Sequence, residues 1–237
     1  MQATEWDNWH KLYETWDDLQ VRLRMVREQI AAAVDECPLG SIKIISICAG
    51  DGRDVLETLS GHPRRGDVRA YLLDNHAPSL ERGREGAQRA DLSEHMHFIN
   101  ADASVTASYV GFVPADVIVI SGMLGHIDLR DVPRLIGQLP MLVKKGGSVI
   151  WNRHTKAANG VRQVPAIRKM FAGVEFEEIF FGPASPEGFA TGRCRFCGNQ
   201  KPLESGRRLF NFVGLDNASS PTTFLQRLRG LLERKNK

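Results

Sequence analysis

A glycine-rich segment with nearby acids is the first pattern in the chain whose residue types and spacing suggest chemistry. Gly50 and Gly52 lie in IISICAGDGRD, residues 44–54, directly after a run of apolar residues. Such glycines let backbone N–H groups approach a ligand closely, although the third glycine of a dinucleotide-binding turn is missing. Asp74 lies twenty-two residues past Gly52 and closes VRAYLLD, where an acid can accept both hydroxyls of a ribose. The spacing predicts a nucleotide site and leaves open which group the nucleotide carries beyond its sugar.

Short apolar runs rich in β-branched residues alternate with helical stretches, and they predict the strands that position this loop. Such alternation is typical of a parallel sheet with helices on both faces, whose strands are almost continuously apolar. Ligands of these sheets bind beyond the carboxyl ends of the strands, where the glycine loop and Asp74 both lie. The predicted strands are 42–48, 68–74, 96–100, 116–121 and 147–152.

The N-terminal part carries a helical pattern of its own. An apolar stripe with spacings of three and four residues predicts a helix that ends at the Pro38/Gly40 turn. Three of the four tryptophans lie ahead of this stripe, so this part either packs on the sheet or forms a lid that keeps water from an acceptor pocket. The stripe consists of Leu19, Leu23, Val26, Ile30 and Val34, and the group ahead of it of Trp6, Trp9, His10, Tyr13 and Trp16.

After residue 155 the alternating pattern changes. A helix is predicted over about 161–172, and it is followed by the apolar strand 175–181. The segment RLFNFVG, 208–214, is predicted to pair with that strand as an antiparallel hairpin at the sheet edge. A basic helix over about 221–234 is predicted near the end of the chain.

Three further segments accompany the glycine loop, namely NADAS at 100–104, ADVIVISG at 115–122 and LPMLVKKGGSVIW at 139–151. Together they resemble the class I S-adenosylmethionine-dependent methyltransferases over about residues 40–155, and SICAGDGRD is similar to an actinobacterial-type small-molecule subgroup. The resemblance implies an α/β fold, a Rossmann-like doubly wound sheet of seven mostly parallel strands with an antiparallel C-terminal hairpin and extra N-terminal helices. It also implies one domain over 1–237, with a cap or lid at 1–40, a cofactor-binding core at 41–155 and a C-terminal part at 156–237.

The same resemblance implies S-adenosylmethionine as the cofactor and assigns residues to it. Gly50 and Gly52 match the glycines beneath the methionine part, and Asp74 matches the acid that binds the ribose. Asp102 and Ala103 match the pair beside the adenine, although an Asp at this point can equally cap the turn that follows. The implied cofactor contacts are Cys48, Ala49, Gly50, Gly52, Arg53, Asp54, Asp74, Asn75, Asp102, Ala103, Ser121 and Gly122.

Two departures from the family pattern concern the amino-acid end of the cofactor. Ser46 stands where the family has an acid, and Cys48 stands where it has its first glycine. This end is therefore expected to be held differently, by Arg53 and by Asp51 or Asp54. The departures also leave open a member of the family that binds the cofactor without transferring methyl groups.

The acceptor is expected beyond the ends of the fourth and fifth strands, which selects the segments SGMLGHI and NRH. Met123 and His126 belong to the first segment, and His126 acts either as a general base or as part of the pocket wall. Arg153 and His154 belong to the second segment. They either contact an anionic or strongly polar acceptor or form a solvated strand end. The candidate catalytic residues are thus His126, Arg153 and His154.

Residue types narrow the chemistry further. Ser121 ends the fourth strand where catechol-type methyltransferases carry a metal-binding acid, so no metal is expected. No Asn-Pro-Pro-aromatic string follows, which argues against nucleobase amino groups and favours an oxygen or nitrogen atom of a small-molecule acceptor. An RNA-modifying enzyme stays an alternative because of the basic segment 227–237. Cys194 and Cys197 have the spacing of half a zinc site, and no second such pair accompanies them.

Composition sets the wider limits on function. Basic residues exceed acidic ones by three, 31 against 28, and are scattered, so a nucleic-acid footprint is not indicated. No apolar run is long enough for a membrane span, and no signal-peptide pattern opens the chain. The four cysteines do not require disulfides in a chain of 42% hydrophobic residues. A cytoplasmic protein without a membrane partner is expected.

Overall fold

A seven-stranded sheet organises the part of the chain that the computed structural model describes, residues 17–155, 160–183 and 188–213. The strands are β1 Ile42–Ile47, β2 Val68–Asp74, β3 Met96–Asn100, β4 Ala115–Ile120, β5 Val143–His154, β6 Phe176–Pro183 and β7 Phe189–Phe196. Their order is β3-β2-β1-β4-β5-β7-β6, in which β1 to β5 pair in parallel and β7 pairs antiparallel with both β5 and β6. The expected doubly wound, mostly parallel sheet is confirmed.

Helices cover both faces of this sheet. In the described ranges the α-helices are α1 Asp17–Glu36, α2 Arg53–Ser60, α3 Ala77–Arg89, α4 Val132–Gln138 and α5 Gly160–Ala172. Successive strand residues point to opposite faces, and Ile44 and Ile45 of β1 accordingly belong to different apolar clusters. Helices α1 to α3 bury one cluster and helices α4 and α5 bury the other. Strands covered on both faces explain the continuous apolar runs of the sequence.

Helix α1 follows the predicted apolar stripe. Leu19, Val26, Ile30 and Val34 are all fully buried, because residues three and four apart share one face of a helix. The helix packs against α2, β5 and β7, and its N-terminal turns reach the carboxyl ends of the strands. The aromatic group at 6–16, with its possible role as a lid, lies outside the described residues, as does the basic helix predicted near the end of the chain.

The prediction that 208–214 forms the second strand of the hairpin is wrong. β6 pairs antiparallel with β7, not with the segment 208–214. β7 lies between β5 and β6, and even its polar residues Thr191 and Arg193 are buried. Arg193 is accommodated there by an ion pair with Glu36 of α1 at 2.7 Å. The sequence FATGRCRF contains polar residues and no continuous apolar run. Its position as an interior strand is therefore not predicted from apolar runs.

Residues 204–213, here called the C-terminal strap, cross the carboxyl edge of the sheet instead of extending it. Isolated bridges join Arg208 to Val105 and Phe212 to Ile127. Phe210 is almost completely buried between these bridges. The apolar residues that suggested an edge strand therefore close over the ends of the parallel strands.

Candidate active site

A cavity of about 430 Å³ lies at the carboxyl ends of the parallel strands, within the size range of small-molecule sites. Helix α1, the loops after β1 to β4 and the strap form its walls. The lining residues are Arg22, Leu23, Cys48, Ala49, Gly50, Asp51, Arg53, Asp54, Asp74, Asn75, His76, Ser79, Asp102, Ala103, Ser104, Ser121, Gly122, Met123, His126, Phe210 and Phe212. Every cofactor contact implied by the sequence lines this cavity except Gly52. We call the loops 48–54, 74–76 and 102–104 its cofactor end.

The two glycines of the loop after β1 have different surroundings. Both adopt the left-handed backbone conformation, with φ of 59° at Gly50 and 66° at Gly52. No atom lies within 4 Å of the position that a Cβ would take at Gly50, whereas a Cβ at Gly52 would clash with the side chain of Leu72. Gly50 therefore leaves space for a ligand, and Gly52 allows α2 to begin close against β2.

Of the two departures from the family pattern, Cys48 begins this loop and Ser46 lies within β1. Cys48 adopts the left-handed conformation that its position requires, with φ of 54°, although glycine adopts it more readily. Burial, with smaller contributions from the charges of Asp74 and Asp102, raises the pKa of the Cys48 thiol far above its ordinary value. The protonated thiol is a poor nucleophile, and Cys48 packs against the core beside the buried Ser46.

Asp74 ends β2 and holds the glycine loop in place. Its two carboxylate oxygens accept hydrogen bonds from the backbone N–H groups of Gly50 and His76, both at 2.8 Å. A carboxylate offers about four acceptor positions, so it keeps capacity to accept hydrogen bonds from the two hydroxyls of a ribose. The imidazole of His76 contacts the hydroxyl of Ser79 at 2.7 Å, and both residues line the cavity.

Asp102 follows β3 at the far side of the cofactor end. Its carboxylate accepts a hydrogen bond from the Ser104 N–H at 2.9 Å, and Arg208 of the strap donates to the Ser104 hydroxyl, also at 2.9 Å. Burial opposes ionisation, but the bonds from Ser104 and the charge of Arg208 hold the pKa of Asp102 below its ordinary value. The carboxylate thus caps the local turn and also lines the cavity, so the two interpretations of Asp102 are compatible.

A buried pair of charges forms the floor of the cavity. Arg22 of α1 is 4% exposed and Asp54 of α2 is 8% exposed. Burial lowers the pKa of Arg22 to about 10, against the attraction of Asp54. Burial also raises the pKa of Asp54, although the Val55 N–H, the charge of Arg22 and the hydroxyl of Ser121 each lower it. Each charge therefore offsets part of the cost of burying the other.

Arg22 is not among the site residues predicted from the sequence, although its position carries a signal. It lies three residues after Leu19 and four before Val26, which places a cation on the apolar face of the helix. The guanidinium lies 5.1 Å from the centre of the Phe189 ring of β7, so aromatic packing compensates for part of the lost water. A charged side chain on the buried face of a helix often marks a site.

Arg53 forms its ion pair within the glycine loop. Its guanidinium makes a bidentate contact with Asp51, with a closest distance of 2.6 Å. Both residues line the cavity as predicted. Arg22 and Asp54 are a second pair of opposite charges on the same cavity, and both of them are buried.

The apolar lining residues of α1, of the loop after β4 and of the strap, together with His126, are here called the acceptor end. They are Leu23, Met123, Phe210 and Phe212. The imidazole of His126 stacks on the ring of Phe212, with centroids 6.0 Å apart. The two phenylalanines are not among the predicted site residues, because the alternation in LFNFV predicts a strand. Only the pairing of β6 with β7 leaves this segment available to the cavity.

Arg153 and His154 do not line this cavity. Arg153 is buried, donates from Nε to the side-chain oxygen of Gln163 at 2.8 Å, and lies so close to Gly125 that a Cβ there would be 2.5 Å from its Nη1. The His154 ring meets Phe189 edge-on, with centroids 4.7 Å apart. Burial excludes the solvated strand end for Arg153, whose guanidinium lies behind the loop that carries His126.

Metal and membrane features can be stated for the described ranges. In them, no three His, Cys, Asp or Glu side chains gather closely enough to hold a metal ion. Cys194 is buried in β7, whereas Cys197 is exposed just beyond its end. None of the helices in these ranges is both long enough and apolar enough to cross a bilayer.

Sequence comparison adds a family to this geometry. A family model described as "Putative methyltransferase" matches residues 12–154. No curated protein matches the chain in sequence. The matched region contains the whole cofactor end and the loop with His126, and it stops before the strap.

Solved structures of methyltransferases share the fold. The CurJ carbon methyltransferase has a TM-score of 0.62 and 15% identity, over 79% of this chain and 57% of that one. An O-methyltransferase family protein from Burkholderia thailandensis has a TM-score of 0.58 and 16% identity, over 82% of this chain and 62% of that one. Magnesium protoporphyrin IX methyltransferase from Synechocystis PCC 6803, solved with bound SAH, has a TM-score of 0.62 and 14% identity, over 81% and 94%. At these identities the likeness concerns the fold, and the chain spans only about three fifths of the first two proteins.

Proposed function

Since the chain belongs to the methyltransferase family whose model matches residues 12–154, we propose that it transfers a methyl group from S-adenosylmethionine to an oxygen or nitrogen atom of a small-molecule acceptor. The observation that carries this proposal is one continuous cavity. It joins Asp74 and Asp102 at the cofactor end to Met123 and His126 at the acceptor end. A donor and an acceptor held in one cavity gain most of the rate advantage that alignment provides.

The residues of the cofactor end suit S-adenosylmethionine. Asp74 retains capacity to accept hydrogen bonds from the ribose hydroxyls, and the open space at Gly50 admits a ligand beside the backbone. The amino-acid end of the cofactor carries a carboxylate and an ammonium group. We assign these two groups to Arg22 and Asp54, because charge-assisted hydrogen bonds of this kind are strong.

For methyl transfer the protein mainly has to position the acceptor and to keep water out of the cavity, because the bound cofactor supplies a methyl group that is already activated. Met123 and Phe210 surround the acceptor with apolar surface that excludes water. His126 takes the proton of the acceptor hydroxyl or amine, since an imidazole accepts protons near neutral pH. Ser121, at the end of β4, is bonded to Asn152 and Asp54, and the proposal requires no divalent metal.

Cofactor binding and methyl transfer test the proposal in two separate measurements. Calorimetry with S-adenosylmethionine and S-adenosylhomocysteine measures the first. Tritiated S-adenosylmethionine added to a small-molecule extract and to RNA measures the second, and we expect label only in the small-molecule extract. Label in RNA would favour the RNA-modifying alternative, and cofactor binding without any label would favour a non-catalytic member. Failure to bind either cofactor form would contradict the proposal.

A further inference from the structure

The acceptor end contains an aromatic surface that the proposed reaction does not by itself explain. Phe212 lines the cavity and keeps 40% of its surface exposed, which is unusual for a large apolar side chain beside buried neighbours. Phe210 and Met123 line the same region and are almost completely buried. Exposed apolar surface inside a cavity gains free energy when an apolar ligand covers it.

The strap holds Phe212 at a fixed place against the loop after β4. The Val213 N–H donates to the His126 carbonyl at 2.8 Å, and the Asp128 N–H donates to the Asn211 carbonyl at 3.1 Å. Asn211 is held in turn by Asp131, whose carboxylate accepts its backbone and side-chain N–H groups at 2.6 and 2.7 Å. A backbone fixed on both sides of Phe212 loses little conformational entropy when a ligand packs on the side chain.

The chemistry of the acceptor end favours one class of occupant. The five residues that define it offer apolar carbon and one imidazole, whereas the charged lining residues Arg22 and Asp54 are assigned to the amino-acid end of the cofactor. A charged acceptor body would lose its water against these five residues without gaining a charged partner from them. Stacked rings, in contrast, prefer centroid separations between 4.5 and 7 Å, and the His126 and Phe212 rings already stand 6.0 Å apart with an interplanar angle of 29°.

We propose that the acceptor carries a planar aromatic ring with a hydroxyl or amino group, and that Phe212 selects it by packing against that ring. This inference rests on the proposed function. The ring covers the exposed surface of Phe212, and its polar substituent lies within the reach of His126. Phe212 is then a specificity-determining residue, and its effect depends on the flatness of the acceptor as well as on its hydrophobicity.

A matched pair of alcohols tests this inference with the full chain. 2-Naphthol and decahydro-2-naphthol share a carbon skeleton and a hydroxyl, but only the first is planar. Calorimetry on protein saturated with S-adenosylhomocysteine is expected to show 2-naphthol binding about tenfold more tightly. Phe212→Leu, which keeps apolar volume, is expected to reduce this preference to about twofold, and Phe212→Tyr is expected to retain it. Val110→Ala, at a site 58% exposed and away from the cavity, is the control.

The outcomes separate this inference from the proposal on which it rests. If the protein binds S-adenosylhomocysteine but binds the two alcohols with equal affinity, or does not bind 2-naphthol, the aromatic acceptor is overturned. The proposed function is not affected by either result. A preference that persists unchanged in Phe212→Leu would overturn the role of Phe212. Absence of S-adenosylhomocysteine binding would overturn the proposed function and this inference together.

Discussion

The cofactor end and the acceptor end of the cavity are built on different principles. The cofactor end consists of three loops that follow three successive strands, and Asp74 joins two of them through the N–H groups of Gly50 and His76. The acceptor end brings together residues as distant in sequence as Leu23 and Phe212. Local backbone geometry therefore shapes the first, and long-range packing shapes the second.

This difference has a functional consequence. The loops of the cofactor end follow directly after their strands. The strap, in contrast, is held by contacts with residues about a hundred positions away, such as its bonds to Thr106 and Ser104. Because Ser104 belongs to the cofactor end, a change in the strap acts on both ends of the cavity.

The largest expected effect is on folding, from a change within the glycine loop itself. Gly52→Ala places a Cβ against Leu72 and keeps a left-handed φ, which we expect to lower the free energy of unfolding by about 3 kcal/mol. Urea denaturation measures this. Gly50→Ala is the matched control, because open space surrounds its Cβ and only about 1 kcal/mol is expected. Equal losses in the two variants would contradict the separate roles of these glycines.

His126→Gln tests the acceptor end at the step of proton removal. Loss of the imidazole is expected to lower kcat by about 100-fold, while cofactor affinity stays at the wild-type value because His126 lies outside the cofactor end. Steady-state kinetics with an identified acceptor, combined with calorimetry, measure both quantities. Met123→Leu, a volume-conserving change in the same wall, should leave kcat within a few fold. An unchanged kcat in His126→Gln would restrict this residue to the pocket wall.

Asp74→Ala tests the carboxylate that links two loops of the cofactor end and is proposed to bind the ribose. We expect cofactor binding to weaken by about 2 kcal/mol, roughly 30-fold, because charge-assisted bonds to two hydroxyls are lost. The fold is expected to survive. Asp74→Asn keeps one acceptor oxygen for the Gly50 N–H and should lose less affinity than Asp74→Ala. Wild-type affinity in the alanine variant would reject Asp74 as the ribose-binding acid.

Arg153→Lys separates direct from indirect action at the acceptor end. Lysine keeps the charge but loses the Nε bond to Gln163 and the guanidinium group that lies against Gly125. We expect KM for the acceptor to rise about fivefold, which corresponds to the free energy of about one hydrogen bond. Cofactor affinity is expected to stay unchanged. Kinetics equal to those of the wild type would show that Arg153 contributes neither to acceptor binding nor to the position of the His126 loop.

The smallest expected effect is that of metal removal. Methyl transfer to an identified acceptor should proceed at an unchanged rate in excess chelator, because Ser121 stands at the end of β4 where a metal-binding acid would be needed. Initial rates with and without chelator measure this. Loss of activity that magnesium restores would place a cation in the mechanism and contradict the proposal on this point.

The cofactor end could be predicted from the sequence in some detail, because its signals are local. Apolar runs indicate β1 to β5 correctly, and the strand-to-loop order places Gly50, Asp74 and Asp102 at one edge. The position of Arg22 could not be predicted in the same way. Its role depends on the direction of α1 across the sheet, which no local pattern specifies.

The sequence by itself determined the parallel sheet and the edge at which the glycine loop, Asp74 and Asp102 meet, since strand patterns and glycine loops act over a few residues. Tertiary structure decided which segment joins β6. FATGRCRF occupies the interior position, where Arg193 forms an ion pair with Glu36, and the segment 208–213 instead lines the cavity with Phe210 and Phe212. Such pairings depend on which distant surfaces meet on folding, and this competition is settled only when the whole chain packs.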